Sequence, residues 1–206
     1  MTSSATDSGG SIEPAPSRGR PRDSRADEAI LAATFRQLVE VGYAGLSIES
    51  VASEAGVAKT TIYRRHPTKK ELVVAALEAA TPFEVPAVDL PSRQALELFI
   101  RTAIHLLIDS GAFRILGSLL IEERREPGLL EAFRARLLTP RRQLVEAMLR
   151  RGIERGEVRP DIDPLVVTEM VAGAVIGHHV ILGLHGDDAW VEALVEQVWR
   201  AIAIDR

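Results

Sequence analysis

A run of hydroxyl-bearing and cationic side chains in residues 47–72 carries the most interpretable chemistry in the chain. Lys59, Thr60 and Thr61 stand together at the start of a short apolar-periodic segment, and no acidic residue occurs between Lys59 and Lys70. Threonine offers a hydroxyl and a methyl group to base edges, whereas lysine and arginine suit phosphates. The pattern therefore predicts non-covalent recognition of duplex DNA.

The elements that would position these side chains are two short helices joined by a tight turn, Gly56-Val57-Ala58. Glycine just past a helix end adopts the left-handed conformation without a steric penalty. Ser47 is expected to cap the first helix, and Thr68 with Glu71 forms a capping box for a further helix. A short helix, a glycine turn and a second helix make a helix-turn-helix, whose second helix enters the major groove.

In this stretch the chain resembles the TetR family of transcriptional regulators. The resemblance covers about the first third of the chain and is carried in register by GY at 42–43, LSI at 46–48, VA at 51–52, AGVAK at 55–59, IYR at 62–64 and PTKKEL at 67–72. Two positions depart from the common pattern. Arg65 stands where histidine is usual, and His66 stands where phenylalanine or tryptophan is usual. Both side chains also fit a helix end beside a phosphate.

The resemblance implies an all-α protein with two parts. A three-helix DNA-binding domain containing the helix-turn-helix would precede a helical domain for effector binding and dimerisation. Base contacts are expected from Lys59, Thr60 and Thr61. By resemblance, phosphate contacts are expected from Ser47, Tyr63, Arg64, Lys69 and Lys70, with Arg25 as a further contact.

The same resemblance implies the partners. A homodimer would bind a palindromic DNA operator, with half-sites about one helical turn apart, and a small-molecule effector would release it. Repression is the commoner mode in the family, and activation is the alternative. The effector's chemistry and the operator sequence are not encoded in any motif of this chain.

The amino-terminal segment is expected to be a disordered arm. Residues 1–17 consist mainly of Ser, Thr, Gly, Ala and Pro with almost no large apolar residue. Arg18, Arg20 and Arg22 follow, in a basic run that resembles the core of an AT-hook and would lie in a narrow minor groove. A solvated charged tail is the alternative interpretation.

The composition and the charge distribution exclude several kinds of chemistry. The 206 residues include no cysteine, which excludes disulfides and thiolate chemistry. The net charge of −4 is unevenly distributed: residues 1–70 hold ten basic and eight acidic side chains, and the remainder hold fifteen and twenty-one. No uninterrupted apolar run of about 18 residues is evident, so no membrane span and a cytoplasmic location are expected.

The pattern after residue 80 is helical throughout, with nine or ten helices expected for the whole chain. Three prolines within residues 81–91 indicate a linker. The expected organisation is an arm at 1–23, a DNA-binding domain at 24–80 and a ligand-binding and dimerisation domain at 91–206. The first helix is expected to begin near Ser24 and to end at Gly42, and Thr139-Pro140 is expected to kink or split a long helix.

Two sets of residues in the second domain are expected from the resemblance. The effector pocket would be lined by Phe99, Ala103, Ile115, Leu119, Leu144, Met148, Met170 and Ile176. The dimer interface would include Gly173, Ala174, Gly177, Trp190, Leu194 and Val198. For each set, an ordinary intramolecular core is the alternative.

Metal and enzyme chemistry have little support. His178 and His185 share a helical face, but no third ligand has suitable spacing, so no metal and no cofactor are expected. One rival interpretation is an all-α enzyme with an amino-terminal DNA-binding domain. Against it, the chain shows no cysteine nucleophile, no glycine-rich phosphate loop and no catalytic His/Asp/Glu spacing. The other rival is an architectural DNA-binding protein without an effector.

Overall fold

The computed structural model describes residues 21–83 and 89–204. Every regular element within these ranges is helical, and the only β feature there is an isolated antiparallel bridge between Val158 and Ala203. The all-α class expected from the sequence is therefore confirmed.

Four helices form the amino-terminal part of the structure, which we call the head. They are α1 (Pro21–Gly45), α2 (Ile48–Ala55), α3 (Lys59–Arg65) and α4 (Lys69–Ala80). The expected start of α1 at Ser24 is wrong, because the helix begins at Pro21, where a first-turn proline needs no N–H partner. Its regular geometry does break at Gly42, as expected, with φ 69° and ψ −178°.

Six helices form the rest of the structure, which we call the body. They are α5 (Ser92–Ile104), α6 (Ala112–Glu122), α7 (Leu129–Phe133), α8 (Thr139–Glu154), α9 (Pro164–Ile176) and α10 (Asp188–Ile202). One π-helical turn extends α5 (His105–Asp109), another joins α7 to α8 (Arg134–Leu138), and a third extends α9 (Gly177–Ile181). The described residues thus hold ten α-helices, or nine if α7 and α8 are counted as one, in agreement with the expected number.

The π turn before α8 has a cause in the sequence. Pro140 lies in the first turn of α8 and has no N–H to donate, and its ring would clash with the carbonyl of Arg136 in an uninterrupted α-helix. A wider π turn over Arg134–Leu138 removes that contact. The expected break at Thr139-Pro140 is confirmed.

Two apolar cores hold the molecule together, and their division does not follow the proline linker. The head's core includes Ile30, Leu38 and Ile62, but it also takes in Ile115 and Leu119 of α6. The body's core is built from α5, α8, α9 and α10. Helix α6 therefore packs by one face against α1 and joins the body to the head.

That packing leaves part of α6 uncovered. A helix apolar on nearly every side would be expected to run through the centre of the body. Instead, Leu120 and Ile121 are 54% and 71% exposed. Central burial does not occur because only the face bearing Ile115 and Leu119 meets α1.

The second uncovered apolar surface lies on α9 and its π turn. Residues 164–181 have a mean hydropathy of 1.5, and only 17% of this segment is buried. By length and composition alone it could cross a membrane, which corrects the expectation that no such segment exists. The segments 92–109 and 112–122 would qualify only jointly, but they meet at a bend of 61°.

Candidate nucleic-acid interface

The corner between α2 and α3 is fixed by one glycine and an apolar contact. Gly56 has φ 65° and ψ 34°, and its N–H donates toward the carbonyls of Ala52 and Ser53. The next N–H, of Val57, donates to the Ala52 carbonyl at 3.0 Å. Ile62 of α3 is completely buried in the head's core. The opposite face of α3 is therefore held outward.

The two expected helix caps are present. The Ser47 hydroxyl accepts a hydrogen bond from the Ser50 N–H at 3.1 Å, and the Thr68 hydroxyl accepts one from the Glu71 N–H at 3.1 Å. Each cap satisfies a backbone donor that the helix itself leaves unpaired. The starts of α2 and α4, on either side of α3, are thereby fixed.

The outward face of α3 carries the side chains expected to contact DNA. Lys59, Thr60 and Arg64 are exposed, Tyr63 is 49% exposed, and Thr61 is half-buried. Five neighbouring residues therefore offer two hydroxyl-and-methyl groups, one phenol and two cations on a single short helix. These groups match the donors and apolar contacts that read base edges and hold phosphates.

Lys59 already has a partner within the head. Its ammonium forms an ion pair with the carboxylate of Glu49 in the first turn of α2. The hydrogen bond from Lys59 is the largest cause lowering the pKa of Glu49. Because both side chains are largely exposed, the pair is a weak one that a phosphate can replace.

The two departures from the family pattern are explained by α1. Arg65 Nη1 and His66 Nε2 each lie 3.4 Å from Asp27 Oδ1, and their side chains are only 17% and 12% exposed. Both residues therefore turn inward at the end of α3. A phosphate at this helix end would therefore compete with Asp27 for both side chains.

Lys69 and Lys70, expected at phosphates, lie where the head meets the body. The Lys69 ammonium is 4.6 Å from the centre of the Tyr43 ring, and burial lowers its pKa against the opposing effect of Glu126 and Glu122. Lys70 is half-buried, with its ammonium beside Gly128. Both lysines are less accessible than Lys59 and Arg64 of α3.

The arginines of the amino-terminal segment are mostly beyond the described structure. Arg25 is exposed on α1, in agreement with an accessible cation. Arg18 and Arg20 lie outside the described residues, and so does the side chain of Arg22. Their expected minor-groove contacts stay a prediction.

The eight residues expected to line an effector pocket are divided between the head's core, the body's core and the surface. Ile115 and Leu119 are fully buried in the head's core, because α6 packs on α1. Ala103 and Met148 lie within the body's core, whereas Met170 is 45% exposed. Leu144 and Ile176 are half-buried, and neither lines the cleft or the groove described below.

A cleft of about 390 Å³ lies elsewhere in the body, and of the expected set only Phe99 lines it. Its polar lining comes from Arg134, Thr139, Arg141, Arg142 and Thr168. Sequence reasoning missed these residues because it searched apolar stripes alone. The signal was the run TPRR at 139–142, where hydroxyl and guanidinium groups follow directly on an apolar turn.

The residues expected at a dimer interface are mostly accessible. A side chain at Gly173 or Gly177 would meet nothing within 4 Å, and Ala174, Trp190 and Leu194 line a shallow groove of about 430 Å³ beside them. Val198 is the exception. It is only 2% exposed because it packs inside the body's core, so its assignment to the interface is wrong.

The histidines of this region form an aromatic cluster. His178 stacks on Trp190 with ring centres 4.1 Å apart, and His179 meets the same ring edge-on at 5.2 Å. The Nδ1 of His179 lies 3.0 Å from the Val175 carbonyl, and its Nε2 accepts from the Gly186 N–H at 3.3 Å. Within residues 21–83 and 89–204, no three His, Asp or Glu side chains form a group able to hold a metal.

The corner, the caps and the outward face of α3 define a helix-turn-helix DNA-binding protein with a helical second domain. Comparison with known families agrees in both parts. Residues 30–76 match the model described as bacterial regulatory proteins, tetR family, and residues 91–198 match that of the tetracyclin repressor-like C-terminal domain. The chain belongs to the TetR family of transcriptional regulators, and its relatives are regulators rather than enzymes.

Three relatives illustrate the match. A DNA-binding transcriptional repressor TetR of Mycobacteroides abscessus is 31% identical, over 88% of this chain and 93% of its own. An uncharacterized HTH-type transcriptional regulator, YdeS of Bacillus subtilis, is 26% identical over 90% and 93%. The crystal structure of the TetR family regulator SCO0332 is 30% identical with a TM-score of 0.64, covering 87% of this chain and 100% of that one.

Proposed function

We propose that the protein is a homodimeric transcriptional repressor that binds a palindromic operator and leaves it when a small molecule binds. The observation that carries the DNA-reading part is the orientation of α3. Its Ile62 side is buried in the head, and its Thr60 side faces solvent together with Lys59 and Arg64. A helix anchored in this way can enter a major groove without rearrangement.

The roles within the interface differ by side chain. Lys59, Thr60 and Thr61 read base edges, because they lie at the amino-terminal end of α3, which enters the groove first. Tyr63 and Arg64 hold phosphates. The Ser47 hydroxyl accepts the cap hydrogen bond with its lone pair, so its proton can still be donated to a phosphate.

The remaining basic residues have peripheral roles in this proposal. Arg25 and Lys70 add phosphate contacts at the edge of the interface. Lys69 covers the Tyr43 ring, so its positive charge attracts DNA without a direct contact to a phosphate. The segment before α1 forms an arm, and Arg18, Arg20 and Arg22 follow the minor groove. The DNA-binding domain begins with α1 at Pro21 and extends to 80, and the ligand-binding and dimerisation domain spans 91–206.

Dimerisation is supported by the uncovered face of α9. Met170, Val180 and Ile181 are 45%, 40% and 75% exposed within one protomer, and proteins in water rarely leave a contiguous apolar stripe uncovered. The absence of a side chain at Gly173 and Gly177 lets a partner's backbone approach closely. We propose that α9 and α10 of two copies form this interface, and that the dimer acts in the cytoplasm, where the chromosome lies.

Repression is supported by a relative. The Mycobacteroides abscessus protein, 31% identical over most of both chains, is named a repressor. Release by a ligand is supported by the cleft in the body, which is large enough for a small organic molecule. A ligand shifts the population only if it binds the form that does not bind DNA more strongly than the form that does.

A selection of random duplexes by the purified dimer tests the proposal, with the enriched site then titrated in increasing salt. We expect one inverted repeat, and a fall in affinity of roughly a thousandfold or more between 50 and 200 mM salt for about eight phosphate contacts. Equal affinity for all sequences would instead favour an architectural protein without an operator. Repeating the selected-site titration with a panel of metabolites then tests release.

A further inference from the structure

The cleft in the body has an excess of positive charge. Arg134 and Arg142 are exposed at its rim, and Arg141 is half-buried between them and the interior. Arg142 Nε lies 3.4 Å from Glu146 Oε1, one turn along α8. Arg134 has no ion pair closer than 4 Å within residues 21–83 and 89–204, although its charge adds to the backbone hydrogen bonds that lower the pKa of Glu123. Three guanidinium groups thus share the lining, and only Arg142 forms a close ion pair, with a carboxylate on its own helix.

The floor of the same cleft is apolar. Phe99 and Val145 are 6% and 3% exposed and close its base, and Phe83 and Leu165 form its sides. Two hydroxyl groups, of Thr139 and Thr168, lie among these side chains, and the Thr168 hydroxyl already donates to the Pro164 carbonyl at 2.8 Å. An apolar floor beneath a cationic rim suits a ligand with an apolar body and one anionic end.

Arg141 connects this cleft to the head. Its Nη2 donates to both the carbonyl and the hydroxyl oxygen of Thr81, each at 2.5 Å. Thr81 is 2% exposed and caps the carboxyl end of α4, where its own N–H donates to the Leu77 carbonyl at 3.1 Å. Burial lowers the pKa of Arg141, although a guanidinium stays charged in proteins.

We propose that this cleft binds a small organic carboxylate with an aromatic or branched aliphatic body, and that the ligand acts on α4 through the contact of Arg141 with Thr81. The inference rests on the proposed function, in which a ligand controls DNA binding. A carboxylate matches the fork geometry of a guanidinium and brings negative charge to a lining where three guanidinium groups have one close carboxylate among them. Helix α4 packs on α1 and starts next to α3, so a change at its carboxyl end reaches the DNA-reading helix.

The ligand class is tested by calorimetric titration of the full-length protein without DNA. The probes are two acids, 2-naphthoate and 4-methylpentanoate, each compared with its uncharged amide. We expect at least one acid to bind about tenfold more tightly than its amide, as charge-assisted hydrogen bonds require. Equal affinity of acid and amide, or no binding of either acid at millimolar concentration, would overturn the proposal.

Two arginine variants locate the site. Arg134→Gln is expected to weaken binding of the acid about fivefold and to leave the amide unchanged, since it removes a charge-assisted contact at an exposed position. Arg150→Gln, an exposed arginine on α8 outside the cleft, should change neither. Similar losses in both variants would show a long-range charge effect and would contradict the assigned site.

The connection to α4 is tested with the selected operator. Thr81→Val keeps the shape of the side chain and removes one of the two oxygens that hold Arg141. We expect the acid still to bind this variant but to lower its DNA affinity at least threefold less than in the wild type. An unchanged effect would overturn the Arg141 route. Because the calorimetric test contains no DNA, a protein that binds the acid but selects no operator would contradict the proposed function alone.

Discussion

The phenolic hydroxyl of Tyr43, just past the break in α1, donates a hydrogen bond to the carboxylate of Glu126, beyond α6. The backbone N–H of Tyr43 also donates to the Ser118 hydroxyl at 3.3 Å. Burial, reinforced by Glu126, raises the pKa of Tyr43, so the phenol stays protonated and remains a donor. The end of α1 is thereby tied to the body at the point where its helical geometry stops.

Tyr43→Phe should therefore destabilise the protein. The change keeps the ring and removes the donor, which leaves the Glu126 carboxylate short of a partner. We expect the free energy of unfolding to fall by about 1–2 kcal/mol, measured by urea denaturation. Tyr63→Phe removes a hydroxyl from a 49% exposed ring and is the control. An equal loss of unfolding free energy in the two variants would show that the hydrogen bond to Glu126 does not stabilise the protein.

The role of Gly56 can be tested with two glycine-to-alanine substitutions that should change the free energy of unfolding in opposite directions. At Gly56, φ is 65° and no atom lies within 4 Å of an added Cβ, so alanine is opposed by backbone strain alone. We expect Gly56→Ala to cost about 1–2 kcal/mol of unfolding free energy. Gly117→Ala, in the interior of α6 with equal space, should stabilise by up to about 1 kcal/mol. Calorimetric melting distinguishes them, and a neutral Gly56→Ala would contradict the left-handed corner.

The ion pair between Glu49 and Lys59 should restrain DNA binding. Glu49→Gln frees Lys59 for the duplex and removes a negative charge from the interface. Affinity should rise roughly twofold to fivefold in low salt, and the gain should vanish in high salt because exposed charges are screened. Fluorescence anisotropy with a labelled duplex measures this. Glu40→Gln, an exposed acid on α1, changes the net charge equally and should have less effect.

The proposed dimer interface can be tested with two isoleucines of similar exposure. Ile181, in the π turn after α9, is 75% exposed, and Ile121 on α6 is 71% exposed. Ile181→Glu places a charge in the interface and should shift the protein toward monomer at micromolar concentration in sedimentation velocity, since an unpaired charge is costly to bury. Ile121→Glu should leave the dimer intact. Dissociation by Ile121→Glu alone would place the interface on α6 instead.

Local sequence signals were sufficient for much of the head. The caps at Ser47 and Thr68 and the left-handed Gly56 each depend on residues within a few positions, so their geometry could be read directly. Pro140 likewise predicted the break before α8, because a proline acts on the helical turn that directly precedes it. The exposed side of α3 also followed from Ile62, the one position on that helix that must be buried.

The predictions that were wrong depended instead on contacts between residues that lie far apart in the sequence. Nothing in the periodicity of α6 indicated that α1 would cover only the face with Ile115. Likewise, Asp27 lies 38 positions before Arg65 along the chain, and only the fold brings the two together. The arginine-lined cleft was missed because Phe83, Arg141 and Thr168 meet from three distant parts of the chain.

The central claim is that the amino-terminal end of α3 reads bases, and one measurement tests it most directly. The wild type and Thr61→Ala are each titrated with the selected operator and with every single base-pair substitution of one half-site. We predict that Thr61→Ala loses discrimination at one or two adjacent positions, by about 1–3 kcal/mol, and keeps it elsewhere. An identical preference at every position, or a uniform loss across all of them, would contradict the account.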